Sequence, residues 1–131
     1  GLAFKTVTRS SKDARAVFFD DTLPESDVQR YVERFAADSL VSLDLRDFTR
    51  NLPSRSSGDD GRAKWLACAP PCLVMGASED KVVDVEGLQE AAYFLGVEPP
   101  IVCHGLPHDV MLATKWEIPA ARLVEWLHKH E

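Results

Sequence analysis

Apolar positions in the first half of the chain recur with a helical period. One stripe, spaced at i, i+3, i+4 and i+7, is formed by Val28, Tyr31, Val32 and Phe35. It follows the string Thr22-Leu23-Pro24-Glu25, which offers a capping residue, an early proline and a first-turn acid. This spacing predicts an amphipathic helix with one buried face.

The rest of the first half contains a second apolar stripe, a helix end and a loop. After a break at Asp38-Ser39, a second helical stripe consists of Val41, Leu45 and Phe48. We therefore predict a pair of short amphipathic helices. The run Ala16-Val17-Phe18-Phe19 is interpreted as a helix end rather than a strand, because its neighbours are helical. Asn51 to Gly61 is rich in Ser, Asp and Gly, so we predict a loop there.

Short, uninterrupted apolar runs mark the second half. Cys72–Met75 and Pro100–Cys103 are each typical of a strand buried on both faces. Between them we predict a helix over Asp84–Gly96, which Asp84 caps and Gly96 ends. A last helix is predicted near Glu117–His130, with Lys129 close to its negative end.

This order of elements indicates an α/β fold. A strand, helix, strand, helix sequence forms a βαβα unit, so the two strands should be parallel neighbours. Strands buried on both faces need helices on each face and further strands at one edge at least. We find no other convincing strand, and expect polypeptide outside these 131 residues to complete the sheet. Residues 1–65 are then a helical region with a linker, and residues 66–131 the α/β unit.

Charge and cysteine content restrict the class of partner. The net charge of −6 lies entirely in residues 66–131, and this acidic surface disfavours nucleic acid and anionic membranes. No apolar run approaches the roughly 18 residues of a membrane span. Three cysteines cannot all pair, which favours an intracellular, reducing compartment. Cys103 is expected to be a buried small hydrophobe.

The chemistry should lie where the strands end. Gly76–Asp80 leaves the first predicted strand and Gly105–Asp109 leaves the second. Because the carboxyl ends of parallel strands meet at one edge of a sheet, Asp80 is predicted to come within hydrogen-bonding reach of His108. An imidazole held by a carboxylate is the general-base half of a nucleophilic triad.

Two strings resemble segments of the α/β-hydrolase superfamily, in its lipase-like and esterase-like members. Residues 71–84, Pro-Cys-Leu-Val-Met-Gly-Ala-Ser-Glu-Asp-Lys-Val-Val-Asp, resemble the segment with the catalytic acid. Residues 105–112, Gly-Leu-Pro-His-Asp-Val-Met-Leu, followed by Trp116-Glu117, resemble the histidine segment. The resemblance implies that Asp80 is the acid, that His108 is the base, and that residues 16–65 form a helical cap over an acyl pocket.

The resemblance also implies a component that the sequence lacks. The nucleophile of this superfamily lies in a G-x-S-x-G turn, and no such string occurs here. Ser78 follows Gly76 by two residues, but Asp80 stands in place of the second glycine. The chain is therefore expected to be the C-terminal half of a serine hydrolase that cleaves a small hydrophobic ester or a lipid. Its serine and oxyanion hole would lie on an N-terminal half, in the same or a separate chain, and no cofactor is implied.

Three alternatives concern individual residues. Asp84 is a second candidate acid, although its position at a helix start already explains it. His104, His108 and Asp109 form a candidate metal cluster, but Gly105 and Pro107 exclude the helical i, i+4 presentation of two histidines. An acyl pocket and helix packing account equally well for the aromatic residues Tyr31, Phe35 and Phe48.

The rival function is non-catalytic. The same fold also serves proteins that only bind or assemble, since a fold does not determine an activity. A sheet with an exposed hydrophobic edge must be covered by another surface. A binding or assembly module is therefore the alternative to a hydrolase.

Overall fold

The computed structural model describes residues 10–37, 50, 52–97 and 99–130. The main elements in chain order are α1 (Ser11–Phe18), α2 (Glu25–Ala37), β1 (Met75–Ala77), α3 (Val85–Phe94), β2 (Ile101–Cys103) and α4 (Glu117–Lys129). Two short 3₁₀ turns, Pro53–Ser56 and Leu66–Cys68, precede β1. The described part is thus a mixed α/β arrangement with a two-stranded parallel sheet.

Helices α1 and α2 pack against each other and are called the helical pair below. The Ser10 hydroxyl caps α1 by accepting the Asp13 N–H at 3.4 Å. Between the helices lies an apolar cluster of buried side chains, comprising Ala14, Phe18, Phe19, Leu23, Val28 and Val32. Tyr31 and Phe35 pack against it, so the first predicted stripe is confirmed, as is the helix end at Ala16–Phe19.

One detail of the helical pair differs from the prediction. Helix α2 begins at Glu25, so Pro24 rather than Thr22 occupies the N-cap position, and the Pro24 carbonyl accepts the N–H groups of Asp27 and Val28. The N–H and hydroxyl of Thr22 donate to the carboxylate of Asp20, in the turn that precedes the helix. The second predicted stripe, Val41, Leu45 and Phe48, lies outside the described residues.

The segment between the helical pair and the sheet is packed against α3. The predicted loop Asn51–Gly61 carries the 3₁₀ turn Pro53–Ser56. Ser57 then forms an antiparallel bridge with Ala63, which is buried. The Ala63 N–H donates to the carbonyl of Phe94 at 2.9 Å, which fixes this segment at the end of α3.

The sheet has the predicted parallel pairing with shorter strands. Met75 pairs with Ile101, and Ala77 with Cys103. The first strand was predicted over Cys72–Met75 and begins three residues later, which corrects that boundary. Pairing starts where the Ile101 N–H donates to the Val74 carbonyl at 2.9 Å. The two residues before Ile101 are prolines, which have no N–H to extend the ladder.

Both faces of the sheet are covered near its centre. On one face, Val74 and Val102 pack against Leu88 and Ala92 of α3. The approach is close at Gly76, where a Cβ atom would lie 2.9 Å from Leu88 Cδ1. The other face packs against the chain that follows β2, in a cluster of Ala77, Cys103, Leu106 and Ala113. Cys103 is 2% exposed, as predicted for a buried small hydrophobe.

The predicted helices flanking β2 are confirmed, but α4 keeps its apolar side largely exposed. Asp84 caps α3 by accepting the Gly87 N–H at 2.8 Å, and Gly96 follows with φ +66°. Helix α4 contacts β2. Its side chains Leu123, Val124 and Leu127 are 42%, 48% and 46% exposed. Within the described residues, no helix has the length and apolar character needed to span a bilayer.

Candidate functional site

Two turns meet at the carboxyl ends of β1 and β2. The N–H of Ser78 donates to the Cys103 carbonyl at 3.2 Å, and the N–H of Glu79 donates to the Leu106 carbonyl at 3.0 Å. Gly105, at φ +71°, donates its N–H to Ser78 Oγ at 2.8 Å. Hydrogen bonds between the two segments therefore continue past the strands, and they place the two predicted site turns side by side.

Asp80 lies in the first of these turns and is held at both carboxylate oxygens. Oδ1 accepts the N–H groups of Val82 at 2.7 Å and Val83 at 2.9 Å. Oδ2 lies 2.9 Å from Nδ1 of His108. The predicted contact between Asp80 and His108 is present, while a catalytic role for the two residues stays a prediction.

This contact defines the protonation of the imidazole. An ionised carboxylate only accepts hydrogen bonds, so Nδ1 of His108 must donate and the neutral ring carries its proton there. Nε2 is then unprotonated and available as a base. The side chain of Asp80 is 8% exposed, whereas that of His108 is 31% exposed. The acid is therefore covered and the histidine reaches the surface, as a base that exchanges protons with a substrate requires.

The surroundings of Asp80 favour its charged form. Burial alone would raise its pKa, but the hydrogen bond to His108 and those from Val83 and Val82 outweigh it, so the pKa lies below its ordinary value. The carboxylate is thus ionised at neutral pH and stabilises a positive charge on the adjacent ring.

Asp109 is a second carboxyl group beside the pair. Burial raises the pKa of Asp109; nearby His108 opposes this effect and the charge of Asp80 adds to it. Its N–H donates to the carbonyl of Phe18 at 3.0 Å. The sequence suggested Asp109 only as a metal ligand beside His104 and His108. Within the described residues, no three side chains of the metal-binding types lie close enough to hold an ion.

The helical pair reaches the histidine through Phe18. The rings of Phe18 and His108 have centroids 5.8 Å apart and are tilted by 43°. Phe18 is 9% exposed and also packs edge-on against Phe35. An apolar side chain thus covers one side of the imidazole. The sequence did not indicate this contact, since a helix end at Ala16–Phe19 does not show which residue Phe18 meets.

Asp20 was also missed by the sequence. Its carboxylate accepts the N–H of Thr22 at 3.0 Å and the N–H of Thr114 at 2.8 Å, together with both threonine hydroxyls. Burial alone would raise the pKa of Asp20, but these hydrogen bonds lower it to about 2. The Asp-x-Thr spacing was a signal for the local turn, but the contact with Thr114 had none.

The structure also locates the residues of the remaining alternatives. Asp84 caps α3, as its position indicated. Tyr31 and Phe35 stack on Phe19 at 5.5 and 6.2 Å within the helical pair, while Phe48 lies outside the described residues. Ser78 donates to Glu79 Oε1 at 3.2 Å.

Three surface clefts lie away from the acid–histidine pair. One of about 360 Å³ lies between α2 and the segment after His108, with Tyr31, Met111 and Trp116 among its walls. Another of about 890 Å³ lies on the outer side of α3, beside Trp65 and Tyr93. A third, of about 570 Å³, is lined by residues around Leu66 and Pro71. The hydrogen-bonded pair, rather than any of these clefts, defines the candidate site.

Comparison with known proteins identifies no family for this chain. No protein-family model matches the chain, and searches of curated proteins and of solved structures likewise find no match.

Proposed function

We propose that this chain is the acid- and histidine-bearing part of a serine hydrolase with an α/β-hydrolase fold, which cleaves a carboxylic ester or a lipid. The observation that carries the proposal is the 2.9 Å contact between Asp80 Oδ2 and His108 Nδ1. The pair lies just beyond the carboxyl ends of adjacent parallel strands, with the acid before the histidine in the chain. This is the order of acid and base in that fold.

The geometry supports a definite division of labour. His108 Nε2 takes the proton from a serine hydroxyl as its oxygen bonds to the ester carbonyl carbon. The imidazolium then gives this proton to the departing alkoxide, so that an alcohol leaves and an acyl-serine remains. Water attacks the acyl group while His108 accepts one of its protons, and that proton returns to the serine when the acid is released. Asp80 stabilises the imidazolium at each stage.

The nucleophile in this proposal comes from polypeptide outside these 131 residues. Ser78 is a poor candidate for the nucleophile, because its hydroxyl is already used in structural hydrogen bonds. The hydroxyl accepts the N–H of Gly105 and donates to the carboxylate of Glu79. The oxyanion donors would accompany the missing serine, since one of them is the backbone N–H of the following residue. The helical pair would form part of the cap, with Phe18 against the histidine.

A fluorophosphonate probe on the full-length protein tests the proposal. The probe should form a bond to a serine, and Asp80→Asn should slow this labelling by about 10⁴-fold, the cost of removing a triad carboxylate. His108→Ala should abolish it within detection. His104→Ala is the matched control, because His104 is exposed in the same turn. Asp84→Asn keeps a capping side chain on α3 and should also label normally.

The results separate the hydrolase from its rival. Labelling that survives His108→Ala, or that is lost equally in His104→Ala, would overturn the triad assignment. Absence of labelling in the full-length protein would favour the non-catalytic binding module. The exposed apolar residues of α4 are compatible with such a role, since exposed apolar patches mark interaction surfaces.

A further inference from the structure

The segment that follows His108 is tied to the helical pair at both ends. At its start, the N–H of Asp109 donates to the Phe18 carbonyl at 3.0 Å. At its end, the N–H of Thr114 donates to Asp20 Oδ2 at 2.8 Å. Leu112, between them, packs against the apolar cluster of the helical pair. The backbone that carries the imidazole is therefore placed by the turn between α1 and α2.

Asp20 is the centre of this attachment. Its carboxylate joins the α1–α2 turn, through Thr22, to the segment after the histidine, through Thr114. The hydroxyl oxygens of Thr22 and Thr114 lie 3.1 Å apart, so the two side chains meet at one carboxylate oxygen. In addition, the Asp20 carbonyl accepts from Arg15 Nη1 of α1 at 2.8 Å. Hydrogen bonds to an ionised acceptor are stronger than those between neutral groups, so this attachment is firm although it lies at the surface.

A displacement of the α1–α2 turn would move the imidazole through two contacts. Phe18 lies two residues before Asp20, and its carbonyl holds the N–H of the residue next to His108. The Phe18 ring also contacts the His108 ring. A shift of the turn therefore alters both the backbone and the packing of the histidine, while Asp80 stays fixed by Val82 and Val83 on the other side.

We propose that Asp20 is a positioning residue for His108, and that it holds the ring where Nδ1 meets Asp80 by clamping residues 109–114 onto the helical pair. Only the catalytic consequence of this inference rests on the proposed function. The ring orientation itself can be measured without any activity.

Nitrogen-15 NMR of the histidine ring in the full-length protein tests the inference. In the wild-type protein, the neutral form of the ring should carry its proton on Nδ1 and leave Nε2 free. Asp20→Asn should move both ring shifts toward those of Asp80→Asn, and Thr114→Val should move them less in the same direction. Thr114→Ser keeps the hydroxyl and should match the wild type. Asp21→Asn removes an exposed neighbouring charge and should leave the shifts unchanged.

Unchanged shifts in folded Asp20→Asn would overturn the proposal, as would equal changes in Asp21→Asn. If Asp20→Asn does not fold, Thr114→Val and Thr114→Ser carry the test, and identical shifts in those two variants would overturn it.

The rate of fluorophosphonate labelling separates this inference from the proposed function. If the protein labels, Asp20→Asn should slow the reaction about 10- to 100-fold, the cost of a modest misplacement of a catalytic group. Shifts that respond to Asp20→Asn in a protein that never labels would support the positioning role and reject the hydrolase. Triad-dependent labelling with shifts that ignore Asp20→Asn would support the hydrolase and reject the positioning role.

Discussion

The N–H of Gly105 donates to the hydroxyl oxygen of Ser78 at 2.8 Å, joining two turns that are 27 residues apart in sequence. One turn continues to Asp80 and the other to His108. Ser78 is therefore a structural connection within the candidate site.

Removal of the Ser78 hydroxyl should lower the stability of the fold and should not remove the catalytic nucleophile. Ser78→Ala is expected to lower the free energy of unfolding by about 1 kcal/mol, the typical net value of one hydrogen bond. Urea unfolding measures this change, with the exposed Ser56→Ala as control. Loss of all fluorophosphonate labelling in folded Ser78→Ala, with the acid–histidine contact intact, would contradict the structural role.

Asp20 should stabilise the folded protein over a defined range of pH. Its folded pKa of about 2 lies below the ordinary value of 3.8, so the stabilisation is fully present above pH 3.8 and is lost as the pH falls through 2. Asp20→Asn should cost about 1–2 kcal/mol at pH 7, allowing for partial solvent screening. Unfolding measured from pH 7 to pH 2 should show this cost shrinking, and a cost independent of pH would contradict it.

Asp109 should behave in the opposite way. Its pKa is raised by burial, so the charged form is unfavourable in the folded protein and costs stability at neutral pH. Asp109→Asn is therefore expected to raise the unfolding midpoint at pH 7. The gain should disappear as the pH falls below 3.8, where the carboxyl is protonated in both folded and unfolded chains. A gain of equal size at pH 7 and pH 3 would indicate another cause.

A buried and an exposed leucine should differ sharply in their contribution to stability. Leu106 is 1% exposed, and Leu106→Ala should cost about 2–5 kcal/mol through lost burial and a cavity. Leu127 of α4 is 46% exposed, and Leu127→Ala should cost less than about 1 kcal/mol. Chemical denaturation compares the two variants. An equal loss for Leu127→Ala in the full-length protein would show that another surface covers α4.

The sequence predicted those features that depend on local signals. The spacing of Val28 and Val32 located the buried face of α2, and Asp84 with Gly96 bounded α3, because caps and periodicity act within a few residues. The beginning of β1 was misplaced because strand pairing depends on the partner. An apolar run at Cys72 does not show that prolines precede Ile101 in the other strand.

The candidate site was predictable only in part. The parallel βαβ order was sufficient to bring Asp80 and His108 to one edge of the sheet. The contact of Asp20 with Thr114 spans 94 residues and links two polar side chains with ordinary alternative uses. Periodicity and composition contain no information on such a pair, and only the folded chain shows it.

The hydrogen bonds to one oxygen of the Asp80 carboxylate also orient its other oxygen. One of its oxygens is bound by backbone groups two and three residues ahead, so the direction in which the other oxygen faces is set by a short stretch of the main chain. The side chains of Val82 and Val83 take no part in these two hydrogen bonds. Val82 and Val83 are 39% and 45% exposed, so replacing their side chains with any residue except proline, which lacks the N–H, should leave the second oxygen of Asp80 facing the histidine.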